Sequence, residues 1–143
     1  MLAQGYARTY QTNAVLTASP GKLVLMLYDG ALKALSLART ALERPESDFR
    51  RIEVVNQQLQ KAQLIISELQ SGLNFEAGGE VATRLNGLYE FYNRRLFAAN
   101  MRKEIGPVIE VEKMLNELRD AWAEMLTKQG GDPRNTESIR GVA

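Results

Sequence analysis

Apolar residues recur along this chain at steps of three and four, in four stretches of about twenty residues each. The first runs from Pro20 to Leu42 and repeats through Leu27, Ala31, Leu35, Ala38 and Leu42. The second carries Ile52, Val55, Leu59, Ala62, Ile66 and Leu69. The third carries Val81, Leu85, Leu88, Tyr92, Leu96 and Ala99, and the fourth Val108, Val111, Leu115, Leu118, Trp122 and Met125. A helix advances about 100° per residue, so each set falls on one face. The punctuation agrees. Ser19 can cap the first helix with Pro20 at its first position, and Pro45 in "ERPESD" ends it. Ser47 or Asp48 is the expected cap of the second, which Gly72 ends with Leu73 packing back. "NFEAGG" reads as a connection, with the third helix starting near Glu80. Gly106-Pro107 restarts the chain, with Pro107 in the first turn of the fourth helix.

The connections are short, so successive helices should be antiparallel neighbours. Each is about 30 Å long at 1.5 Å per residue. The β-branched residues are scattered within helical periods, and no strand signal competes. The prediction is an all-α fold: an elongated antiparallel up-down-up-down four-helix bundle over residues 19–129. It is preceded by an N-terminal arm or cap over 1–18 and followed by a flexible tail over 130–143. The arm is polar but carries Tyr6, Tyr10, Val15 and Leu16, which are costly to leave in water, so it is expected to lie reversibly against the body. The tail, "GGDPRNTESIRGVA", has neither period nor core.

The helices carry more apolar surface than a bundle seam needs. Leu23 to Tyr28 are six apolar or aromatic residues in succession and sweep the whole circumference of the first helix. Leu23, Leu25 and Met26 therefore exceed its stripe. Val54, Leu64 and Ile65 do so on the second helix, Phe91 and Phe97 on the third, Ile109 and Met114 on the fourth. A wide core face accounts for any one of them. A surplus on all four helices predicts a cover: the arm, a second copy, or an amphipathic segment of another protein.

Composition removes several chemistries. The 143 residues include no cysteine and no histidine, and the net charge is +1. Thiol chemistry, the commonest general base and the Glu-x-x-His pairs of di-iron bundles are excluded. Glu110, Glu112, Glu117, Asp120 and Glu124 alternate with basic residues and read as a solvated face, where Glu124–Lys128, like Glu90–Arg94 on the third helix, suits an i,i+4 pair. "EAGGE" matches no phosphate-loop pattern. Arg94, Arg95, Arg102 and Lys103 lie near Tyr89, Phe91, Tyr92 and Phe97, a mixture that could serve single-stranded nucleic acid. Tyr92, however, belongs to the core stripe, so no nucleic-acid partner is expected. Gly30 within a helix points to a close helix crossing, and Asp29 beside it is expected to pair with Lys33 or accept a bond from a tyrosine hydroxyl. No catalytic residue, metal site or cofactor is expected. The longest apolar run is too short to span a membrane, and no signal-peptide pattern opens the chain, which predicts a cytoplasmic protein without membrane insertion.

Several motifs occur in a telling order. They are Tyr10-Gln11-Thr12-Asn13, Ala18-Ser19-Pro20-Gly21-Lys22-Leu23 and Met26-Leu27-Tyr28-Asp29-Gly30-Ala31, then Leu69, Leu73-Asn74, Gly78-Gly79-Glu80, Leu88-Tyr89, Ala99-Asn100 and Leu118-Arg119-Asp120-Ala121-Trp122. Together, over roughly residues 6 to 126, they resemble the FliS family of flagellar secretion chaperones. The S-P-x-K-L…M-L-Y-D-G block is the most specific part. The resemblance implies a non-enzymatic, cofactor-free bundle that holds the C-terminal segment of flagellin along apolar grooves. It keeps flagellin unpolymerised in the cytoplasm and helps deliver it to the type III export apparatus, with export-gate components as further partners. By the same resemblance, the arm covers part of that surface when the client is absent. The residues it places on the client-binding or cap-docking side are Tyr6, Tyr10 and the Pro20–Tyr28 block with Leu23, Leu25, Met26, Leu27 and Tyr28; Val15 and Leu16 join them as the arm's other apolar residues. The alternative is a helical adaptor whose surplus surface is a homodimer seam and which has no client.

Overall fold

In the computed structural model, residues 20–129 are described. Tyr6, Tyr10, Val15 and Leu16, and the tail over 130–143, lie outside the described residues. Helix α1, Pro20–Leu42, opens on a proline, whose missing N–H costs nothing at a first helical position. After it, the Asp48 N–H bonds the Pro45 carbonyl at 3.0 Å, and the Asp48 carboxylate accepts the Arg50 N–H at 3.0 Å. Asp48 thus shapes an Asx-type turn instead of capping a helix, and Helix α2, Arg51–Ser71, starts later than the Ser47/Asp48 reading placed it. Arg50 holds its N-cap position without a side-chain bond. Gly72 ends α2 as expected, and Leu73 behind it is buried.

Helix α3, Phe75–Arg102, begins inside the segment read as a connection. Asn74 caps it, its side chain accepting the Ala77 N–H at 3.0 Å. One turn later Gly79 takes φ 52° and ψ −127°, which only glycine adopts without strain. The regular helix therefore resumes at Glu80, where the sequence placed its start. Lys103 closes α3 in the left-handed region at φ 55°, and Helix α4, Ile105–Gln129, follows directly with Pro107 in its first turn.

Side-chain bonds between helices fix direction and register. Between α1 and α4, Gly21 meets Trp122, Asp29 meets Arg119 and Arg39 meets Glu112, so one numbering rises as the other falls. Between α2 and α3, Gln70 meets Asn86, Ser67 meets Asn93 and Asn56 meets Asn100, again in opposite senses. Helix α1 packs on α2 and α4, and α3 packs on the same two, so the four helices form an antiparallel ring around one core. The α1–α2 seam is the most extensive. Ala31, Ala34, Ala38 and Ala41 of α1 are all buried, and small side chains there let a neighbouring helix come close.

The core follows the predicted stripes with instructive departures. Ile52 and Val81 are exposed, at 59% and 51%. Each sits in a first regular turn, where the period continues but the bundle no longer supplies a facing neighbour. Ile65, read as surplus, is buried, and Ala82 and Tyr89 join the α3 core face. Leu85, Leu88, Leu118 and Met125 are only partly covered. Among the described residues there is no strand, and no helix is long and apolar enough to cross a membrane.

Candidate functional site

The Pro20–Tyr28 block divides by how far the bundle covers each residue. Leu27 and Tyr28 are buried in the core. Val24 and Leu25 are half-buried and pack against it. Leu23 and Met26 are half-buried as well but lie outside that cluster. Pro20 occupies the first position of the helix. Residues 23–26 are thus all partly accessible, and Leu23 and Met26 are the two not packed against the core cluster.

The other motif residues largely hold the bundle together. The Tyr28 and Tyr89 hydroxyls meet across the core at 2.5 Å, and Tyr89 stands edge-on to Tyr92 with ring centroids 6.4 Å apart. Burial pushes the Tyr28 and Tyr89 hydroxyls up from the ordinary phenol range, and neighbouring tyrosines add to the rise at Tyr89. Tyr92 is pushed up to about 12, chiefly by burial. All three are neutral phenols at neutral pH. The Trp122 indole N–H donates to the Gly21 carbonyl at 2.8 Å. Arg119 donates to Asp29 at 2.8 Å, so Asp29 pairs with α4 and with neither Lys33 nor a tyrosine. Gly30 is buried. The specific sequence blocks thus converge where α1, α3 and α4 meet.

The acidic residues of α4 are partly interhelical. Arg39 holds Glu112 at 2.7 Å and Arg95 holds Glu110 at 3.0 Å, while Glu124–Lys128 forms the expected surface pair at 3.0 Å. Arg95 of the basic cluster is thereby engaged. Lys103 turns inward, donating to the Asn100 carbonyl at 2.7 Å and also to the Asn100 side chain. Burial, with Arg51 nearby, lowers its pKa. No group of three or more metal-ligating side chains occurs among the described residues.

The α2–α3 seam has a different chemistry. Its rim is lined by amides. Gln63 donates to the Asn93 carbonyl at 3.2 Å, Asn93 to the Ser67 hydroxyl at 3.1 Å, Gln70 to Asn86 at 2.8 Å and Asn100 to Asn56 at 2.8 Å. Gln60, Gln63, Leu64, Ser67 and Asn93 enclose a shallow open furrow of about 280 Å³. Along the same two helix faces, toward the α1–α2 loop end of the bundle, stand Ile52, Phe97 and Met101. Phe97 and Met101 are 60% and 71% exposed. Phe97 follows Asn93 by four residues and Met101 follows Phe97 by four, while Ile52 precedes Asn56 by four, so each shares the furrow-facing side of its helix.

Of the surplus residues picked from sequence, Phe97 and Ile109 are exposed and Leu64 is borderline, whereas Val54, Phe91 and Met114 are half-buried. Sequence reasoning missed Met101, and it placed Ile52 in the core. The available signal was position: both lie at helix ends, beyond the last layer that four helices can close.

Comparison with known proteins was consistent. The family model described as "Flagellar protein FliS" matches residues 2–129. The flagellar secretion chaperone FliS of Bacillus subtilis (strain 168) is 37% identical over 139 residues, which is 97% of this chain and 99% of that protein. The flagellar secretion chaperone FliS of Salmonella typhimurium (strain LT2) is 39% identical over 126 residues, 87% of this chain and 90% of its own. That of Campylobacter jejuni (strain 81116) is 34% identical over 116 residues, 81% and 87% of the two chains.

Proposed function

The chain belongs to the FliS family of flagellar proteins, and on that footing we propose that it is a non-enzymatic export chaperone of the cytoplasm. In this reading it holds the C-terminal segment of flagellin in apolar grooves, prevents premature polymerisation and assists delivery to the flagellar type III export apparatus. The observation that carries the reading is the likeness to flagellar secretion chaperones over nearly the whole of both chains. The exposed Ile52, Phe97 and Met101, and the half-buried Leu23 and Met26, supply apolar surface for such a client. A terminal segment that is disordered when free pays about 1–2 kcal/mol per residue to order its backbone. Burying a whole apolar side chain returns about 1.5–3 kcal/mol, so the client must spread over many contacts. Net charge contributes little to recruitment at +1. The arm residues Tyr6, Tyr10, Val15 and Leu16 belong to the same reading as a replaceable cover.

Titration calorimetry with a flagellin C-terminal peptide tests it. One peptide should bind per chain with a negative heat-capacity change. Deleting the arm through Leu16 should alter the affinity while the bundle stays helical. Absence of saturable binding would overturn the chaperone reading. A permanent dimer in sedimentation that takes up no peptide would instead establish the adaptor.

A further inference from the structure

The outer face of α3 carries a pattern that a single subunit leaves unused. Thr83, Gly87, Glu90, Arg94, Phe97 and Met101 follow one another at steps of four, three, four, three and four, the spacing of a coiled-coil seam. All six are exposed, on the side of the helix turned away from the buried Tyr89, Tyr92, Leu96 and Ala99. Two of them have no explanation within the bundle. Gly87 lies inside the regular helix, where glycine is disfavoured, and a Cβ built there would meet nothing within 4 Å. Nothing in its own subunit requires the missing side chain. Arg94 bonds no described residue, although Glu90 stands one turn before it. Glu90 is met instead by the Gln70 side-chain amide at 3.4 Å, so the expected i,i+4 pair is not formed. An identical helix laid antiparallel on this stripe accounts for both residues. With the two-fold axis level with Tyr92, Phe97 of each copy faces Gly87 of the other, Arg94 faces Glu90, and Met101 faces Thr83. A ring enters the space that the glycine leaves, and each charge meets its opposite. A parallel pair would set Arg94 against Arg94 and Glu90 against Glu90, and sliding the antiparallel pair by one heptad would remove both ion pairs.

We infer that the outer face of α3 is a self-complementary seam on which two copies of this chain pair antiparallel and reversibly. The stretch from Thr83 to Met101 is about 27 Å long at 1.5 Å per residue. One helix laid on one other buries an area at the low end of protein interfaces, so the dimer should dissociate at about 10–100 μM. The seam uses no feature of a client. Where the chaperone reading above holds and the client takes Phe97 and Met101, the second copy and the client exclude each other at those two residues.

Sedimentation equilibrium of the full chain over a range of concentrations tests the seam. The unaltered protein should show a monomer–dimer equilibrium. Glu90→Arg and Arg94→Glu, each alone, place like charges face to face at both symmetry-related positions and should weaken association at least about tenfold. The two substitutions in one chain should restore it. So should an equimolar mixture of the two single variants, since each supplies the charge that the other has lost, and damage to the fold is not repaired by mixing. Gly87→Leu fills the space that receives Phe97 and should also weaken association at least about tenfold. Its urea midpoint, read by circular dichroism on the monomer, should not fall, because nothing in the subunit opposes a side chain there and leucine is the better helix former. A chain that stays monomeric up to about 1 mM would overturn the seam. So would a dimer indifferent to both charge reversals and to Gly87→Leu, or single variants that remain monomeric when mixed at concentrations where the unaltered chain dimerises.

Discussion

Removing Trp122 should cost the bundle a large part of its stability. The side chain is 7% exposed, and it is the only tryptophan in the chain. Truncation to alanine deletes an indole from a packed site where α4 meets the start of α1. Tryptophan-to-alanine changes in cores cost about 3–5 kcal/mol. The lost bond to the Gly21 carbonyl is worth about 1 kcal/mol and is largely contained in that range, since Gly21 sits in the first helical turn. Domains of this size commonly have 5–15 kcal/mol in total, so the variant should remain folded but weakened. Far-ultraviolet circular dichroism against urea is the appropriate assay, because the mutation removes the fluorophore itself. With a slope of about 2 kcal/mol per molar, the midpoint should fall by about 1.5–2.5 M with the slope unchanged. Trp122→Phe keeps a ring and drops only the donor, and should lose about 1–2 kcal/mol. A midpoint shift below about 0.5 M for Trp122→Ala would refute the claim that this contact anchors α1 to α4.

Other expectations follow from the same contacts. Tyr89→Phe strands the buried Tyr28 hydroxyl and should cost about 1–3 kcal/mol, whereas Tyr28→Phe with Tyr89→Phe should cost less than the two single changes summed, measured as a double-mutant cycle in urea. Burial raises the folded-state pKa of Tyr28, Tyr89 and Tyr92 above the unfolded value of about 10, so the unfolded chain sheds these protons first. Their contribution is complete below about pH 10 and is lost as pH rises further, at up to about 1.4 kcal/mol per pH unit for each group, and a Tyr89→Phe chain should show a shallower alkaline slope in denaturant melts. Gly79→Ala meets no atom within 4 Å but must hold a positive φ, so it should cost about 1–3 kcal/mol by conformation alone, read as a lower melting temperature. Phe97→Asp with Met101→Asp changes exposed positions, so the urea midpoint should move little while affinity for the flagellin peptide falls at least tenfold in calorimetry.

Most of the architecture was legible because a bundle is built from local periodicity. The stripe Val55, Leu59, Ala62, Ile66 and Leu69 needs no knowledge of the partner helix to be read, and each of these residues is buried. Ile52 and Val81 obey the same period and yet face water, since the period cannot say where the neighbouring helix ends. Ile65 lies only about 60° from Ala62 around the helix, close enough to be covered when α1 presents alanines to α2. Asp29 illustrates a different gap. Its partner Arg119 is 90 residues away, and only the three-dimensional register brings them to 2.8 Å. The segment before Glu80 read as loop because Gly78 and Gly79 suggested a turn, whereas the Asn74 cap holds one helical turn ahead of the kink. As for the candidate surface, the residues on α1 could be named but not divided. Leu23 lies only about 40° around the axis from buried Leu27 but one turn nearer the helix start, whereas Met26 is turned about 100° from it, and how far each is covered is fixed by packing. The furrow amides were not singled out, because glutamine and asparagine on a polar face carry no sequence mark of the bonds they make across a seam.

The antiparallel pairing of the first and last helices has a mechanical corollary. Residues 21 and 122 touch, so a force applied between the beginning of α1 and the end of α4 acts at one shared edge. Such a load does not shear the two rods along their length. It peels them open like a zipper, breaking the Trp122–Gly21 contact first, then Arg119–Asp29, then Arg39–Glu112, each bearing the strain alone. A structure that resists urea well can for this reason yield to a modest pull on its two ends.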